Sequence, residues 1–106
     1  MTTQTQKDAV ADIVRKILDD KFGDTIAFDP IIVKDAVDVV DGMEYLRITI
    51  VFDGDRKLLD PKWTLGLTGR VRRRMAEHGI YEYPVSMFAE KSEWEAVLAG
   101  EYYEST

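Results

Sequence analysis

Residues 60–79 read DPKWTLGLTGRVRRRMAEHG, and whether this stretch is one helix or two decides how the rest of the chain is arranged. Its ends are conventional. Asp60 is placed as a cap whose carboxylate can accept from free backbone N–H groups, and Pro61 stands at the first helical position, where proline fits best. Gly79 supplies the stop. Leu67, Val71 and Met75 mark an apolar side. The interior holds Gly66 and Gly69, and each weakens a helix by roughly 1 kcal/mol relative to alanine. An unbroken helix and two shorter helices parted at Gly66-Leu67-Thr68-Gly69 both suit this pattern.

Upstream, Val10, Ile13, Val14, Ile17 and Leu18 recur at spacings of three and four, which predicts a first helix with one buried stripe. Thr5 followed by Asp8 offers its cap and Gly23 its end. A strand is expected over Phe28 to Val40, rich in Ile and Val, with Pro30 confined to its start. Asp41-Gly42 then suits a tight hairpin. In the next run Leu46, Ile48, Ile50 and Phe52 point one way, Tyr45, Arg47, Thr49 and Val51 the other, the pattern of a strand with one face in the core. Asp53-Gly54-Asp55 ends it in a turn.

Downstream, Tyr83 to Glu90 reads as a third strand, with Val85 and Met87 on one face and Phe88 on the other. Ser92-Glu93-Trp94-Glu95 has the form of a capping box before a short helix carrying Trp94, Val97 and Leu98. The expected order is α-β-β-α-β-α. It predicts a single α+β domain over residues 1–106, a mainly antiparallel three-stranded sheet with helices packed on one face, and flexible ends at 1–4 and 104–106.

The bulk properties agree with one globular domain. The chain has 106 residues, 45% of them apolar, enough for a single core. It contains no cysteine, which removes disulfides, thiol nucleophiles and thiolate metal sites. No run has the length of a membrane helix and Met1 to Gln6 lacks a leader's basic and apolar regions, so a soluble cytoplasmic protein without membrane partners is expected. The net charge of -6 is unevenly spread. Residues 1–53 hold 6 basic and 11 acidic side chains, residues 54–75 hold 7 and 2, and residues 76–106 hold 1 and 7. Such sign asymmetry marks a binding face or a chain that neutralises itself on folding.

Little in the sequence points to catalysis. His78 is the sole histidine and sits in the last turn of its helix, where positive charge suits the dipole. Asp53, Asp55 and Asp60 can approach one another, but Arg56 and Lys57 intervene and a polar turn followed by a cap explains all three. Neither a P-loop nor a dinucleotide fingerprint occurs. No catalytic residue, cofactor or metal site is therefore expected. The predicted role is a non-enzymatic interaction or regulatory module that binds a partner protein, or itself, through complementary surfaces. Arg56, Lys57, Arg70, Arg72 and Arg73 supply the basic one; the acidic, aromatic final third, with Tyr102 and Tyr103, supplies the other. At 100° per residue from Trp63, Leu67, Val71 and Met75 fall at about 40°, 80° and 120°. Arg72, Arg73, Arg70 and Arg74 fall at about 180°, 280°, 340° and 20°, so the arginines surround the apolar arc. Arg74 is expected to lay its stem beside Trp63 or Leu67.

If the helix breaks at the glycines, the order becomes α-β-β-α-α-β followed by a further helix. That layout resembles type II KH domains, in which a G-x-x-G loop joins two helices and clamps a nucleic-acid backbone. The resemblance implies RNA or single-stranded nucleic-acid binding through Gly66 and Gly69, assisted by Arg70, Arg72 and Arg73. It departs from the family in having Leu67 and Thr68 where basic residues are usual.

Overall fold

In the computed structural model, which describes residues 2–98, the stretch 60–79 forms two helices joined at one residue. Helix α2 spans Pro61–Leu65 and α3 spans Leu67–Glu77, with Gly66 between them. Gly66 keeps a right-handed helical conformation (φ -83°, ψ -7°), so the chain bends without swinging out. Asp60 caps α2 as expected, its carboxylate accepting from the Lys62 N–H at 3.0 Å. Of the G-x-x-G stretch only Gly66 is a junction; Leu67, Thr68 and Gly69 form the first turn of α3.

The preceding chain supplies α1 (Gln4–Phe22), β1 (Ala27–Val37) and β2 (Glu44–Asp53). A 3-10 turn (Arg56–Leu58) precedes α2; β3 (Pro84–Glu90) and α4 (Lys91–Leu98) follow α3. The stripe of α1 is buried as its spacing predicts, and the helix ends at Gly23, which takes φ 56°. Its cap is not Thr5 with Asp8. Thr3 accepts from the Gln6 N–H at 3.1 Å and Gln6 answers the Thr3 N–H at 3.0 Å, a capping box two residues earlier.

Three further expectations are corrected. Strand β1 stops at Val37 rather than Val40, and residues 38–43 form a loop in place of a tight hairpin. The Asp38 carboxylate accepts from the Val40 N–H at 2.8 Å and the Asp41 carboxylate from the Met43 N–H at 2.9 Å. Such local bonds compete with the ladder, and here they win over the β preference of Val39 and Val40. Helix α4 begins at Lys91, directly off β3, so Ser92 lies inside its first turn rather than capping it.

The sheet has the order β1-β2-β3. Strands β1 and β2 are antiparallel, with Phe28 opposite Phe52 and Val37 opposite Glu44. Strands β2 and β3 are parallel, with Leu46 opposite Pro84 and Phe52 opposite Glu90. The sheet is therefore mixed, not mainly antiparallel. The 3-10 turn, α2 and α3 together form the long crossover that a parallel pair requires, carrying the chain back to the end of the sheet where β2 began.

Leu46, Ile48, Ile50 and Phe52 face the core, covered by α1 and by Leu67, Val71 and Met75 of α3. The last helix departs from the expectation that all helices share one face. Ala27, Val51 and Asp53, which alternate with the core positions Phe28 and Phe52, line a cavity of about 470 Å³ with Trp94 and Leu98 of α4. Helix α4 thus crosses the outer face, and Val51 is buried there instead of wet. At the far end Lys7 of α1 meets Asp35 of β1 at 2.9 Å. The hydrogen bond from Lys7, with a smaller contribution from Thr2, holds the Asp35 carboxyl below its ordinary pKa of 3.8. Among the described residues, no helix is long and apolar enough to cross a membrane.

Candidate interaction groove

The bend at Gly66 determines where the arginines go. Helix α2 presents Trp63, half-buried, with its ring edge-on to Phe22 at 5.2 Å. The Arg70 guanidinium lies over that ring at 5.3 Å. Stacking holds the planar group in place and leaves its donor edge available. The wheel puts Arg70 and Arg74 on either side of Trp63; the guanidinium over the ring is Arg70's, while Arg74 lines the same groove.

That groove, about 390 Å³, runs between the last turn of α1 and the helices α2 and α3. Its walls are Ile17, Asp20, Lys21, Trp63, Arg70, Arg73 and Arg74, four cations against one carboxylate. Among the described residues, none of these four cations has a carboxylate within 4.0 Å. A concave lining with four cations and one carboxylate, the cations lacking close carboxylate partners, carries a net positive field that favours anions. Asp20 and Lys21 are the contributions that the sequence reading missed. The only local signal was their position one turn before Gly23, where a helix ends.

The other expected binding residues go elsewhere. Arg72 turns away from the groove and lies over the Tyr83 ring at 5.0 Å. Arg73 borders both this groove and a smaller one of about 330 Å³ formed with Gly69, Arg72, Ile80 and Tyr81. Arg56 is engaged within the fold: it stacks on Phe52 at 5.6 Å and pairs with Glu90 at 3.6 Å and Glu93 at 3.4 Å. Lys57 lies exposed in the same 3-10 turn. Tyr102 and Tyr103, like the end at 104–106, lie outside the described residues.

The residues of the weaker motifs have ordinary structural roles. The Asp55 carboxylate accepts from the Lys57 N–H at 2.9 Å, as a polar turn does. His78 is exposed, with Nδ1 3.0 Å from the Arg74 carbonyl oxygen. Gly66 is exposed at the junction, Gly69 is exposed within α3, and Leu67 between them is fully buried. Comparisons with protein-family models, with curated proteins and with solved structures give no match.

Proposed function

We propose that this chain is a cytoplasmic, non-enzymatic interaction module that binds an acidic segment of a partner protein in the groove between α1 and α3. The observation that carries this reading is the Arg70–Trp63 stack beside Lys21, Arg73 and Arg74, cations without an ion-pair partner among the described residues. Guanidinium groups bind carboxylates through paired, charge-assisted hydrogen bonds, and the indole beside them gives an apolar anchor. Because Trp63 already orders Arg70, less side-chain freedom is lost on binding. A protein segment with a few carboxylates suits a site of four cations. A long polyanion meets the repulsion of a chain at net charge -6.

The second reading, nucleic-acid binding of the KH type, is favoured by one observation. The order α-β-β-α-α-β, then a helix, is the layout that the resemblance named. Against it, Leu67 is core and Gly69 is helical, so the glycine pair encloses no exposed loop.

The test uses Trp fluorescence with two probes, a Glu-Tyr-Tyr-Glu peptide and a single-stranded oligonucleotide. The peptide is expected to bind, and Arg70→Glu with Arg73→Glu and Arg74→Glu to weaken it at least tenfold, since one charge-assisted bond contributes about 1.5–3 kcal/mol. Undiminished peptide binding by that variant removes the proposal. Oligonucleotide binding that exceeds peptide binding and falls steeply with salt assigns the face to the second reading.

A further inference from the structure

The two edges of the sheet are treated differently. The β1 edge carries Asp29, Pro30, Lys34 and Asp35, and its ladder is interrupted between Phe28 and Ile31. Proline, charge and a bulge are the devices by which proteins blunt an edge strand. The β3 edge has almost none of them. From Tyr83 to Ala89 the chain reads YPVSMFA, uncharged throughout, with proline only at the first strand position. Val85 and Met87 stand 37% and 51% exposed on the outer face. Helix α4 leaves this edge open, because it crosses toward Ala27 and Pro30 at the opposite side of the sheet.

The hydrogen-bond phase shows which groups are free. The Leu46 N–H donates to the Tyr83 carbonyl at 2.8 Å. In a parallel pair alternate residues turn both backbone groups toward the same neighbour, so Tyr83, Val85, Met87 and Ala89 face β2. Ser86, Phe88 and Glu90 therefore aim their N–H groups at the open edge, where none has a backbone partner among the described residues.

We propose that β3 pairs antiparallel with β3 of a second copy, about a two-fold axis at Met87, joining two three-stranded sheets into one. This register sets Ser86 against Phe88 of the other copy, and Val85 against Ala89, with the two Met87 side chains adjacent on the outer face. The pairing satisfies the outward N–H groups and covers the exposed apolar side chains together. Charge selects a second copy in this sense. The start of β3 carries Glu82 and, over Tyr83, Arg72; its end carries Glu90, Lys91 and Glu93. Antiparallel pairing brings Glu82 near Lys91 and Arg72 near Glu90 and Glu93, whereas parallel pairing sets each charge against itself. The interface is isologous and closes at two copies.

The cysteine-free chain allows a direct test. Sedimentation velocity from micromolar to submillimolar concentration is expected to show twice the 12.1 kDa chain mass. Met87→Cys is expected to form a disulfide-linked dimer under mild oxidation, because directly opposed residues of a non-hydrogen-bonded pair come close enough. Lys34→Cys, on the other edge strand, is expected not to. Ser86→Pro removes an outward N–H without touching the ladder to β2, and Met87→Lys opposes two like charges. Each should raise the dimer dissociation constant at least tenfold with helical content unchanged. A chain that stays monomeric at all concentrations overturns the proposal. So does a dimer that resists both Met87→Lys and cross-linking through Met87→Cys. The Arg70, Arg73 and Arg74 charge-reversal variant should still dimerise, which separates this pairing from the groove.

Discussion

Replacing Gly69 with alanine tests the helical reading of the G-x-x-G stretch most sharply. Gly69 is exposed in the first turn of α3, and a Cβ built there meets no atom within 4 Å. Nothing in the folded state opposes the substitution, and alanine narrows the unfolded ensemble. So near the helix start the gain is about 0.5–1 kcal/mol, which in a domain of about 100 residues raises Tm by about 2–8 °C. Gly66 behaves differently. A Cβ there lies 2.6 Å from the Arg70 Nη1, the far end of a flexible side chain, so Gly66→Ala displaces the guanidinium from Trp63 rather than breaking the fold. Thermal unfolding followed by circular dichroism, together with the two fluorescence probes, distinguishes the cases. Gly69→Ala should melt higher and bind the acidic peptide as before. If backbone at Gly69 approached a phosphate, the added methyl would abolish binding. A lower melting temperature, or lost binding with the fold intact, refutes the reasoning.

Leu67→Ala removes a fully buried side chain from between α3 and the sheet and should cost about 2–5 kcal/mol in urea denaturation; a loss below about 1 kcal/mol would take Leu67 out of the core. Asp35 has a folded-state pKa lowered by Lys7, so its contribution is complete above the ordinary value of 3.8 and disappears as pH falls through the lowered one. Asp35→Asn should therefore flatten the acid limb of stability against pH, and identical limbs in the two proteins would contradict this.

The elements were legible where periodicity and punctuation agreed. The α1 stripe, the alternation in β2 and the shared face of Val85 and Met87 in β3 follow from spacing alone, whereas the exposure of that last face comes only with the fold. The errors arose where a local bond competed with propensity. Asp38 and Asp41 close the 38–43 loop through their own side chains, which the Ile and Val content of the run conceals. The sense of β3 was misjudged for a different reason. The expected order α-β-β-α-β-α already holds a β-α-β unit between β2 and β3, and the glycine-bent helical segment of residues 60–79 is long enough to serve as its crossover. A mainly antiparallel sheet follows only from extending the first strand pair's sense to the third strand.

The candidate groove was only half legible, because charge content and charge availability are different quantities. The basic run counts Arg56 and Arg70 alike, but Arg56 is engaged by Glu90 and Glu93, carboxylates from β3 and α4 that only the fold brings near. Lys21 lies far from α3 in sequence and joins the arginines because α1 packs beside that helix. Aromatic neighbours then sort the remaining cations: Trp63 turns Arg70 into the groove, and Tyr83 draws Arg72 to the opposite side, toward the free edge of β3. A cluster that looks like one basic patch is thus divided between two surfaces. Reversing Arg72 alone should disturb the β3 pairing while leaving the groove's affinity intact.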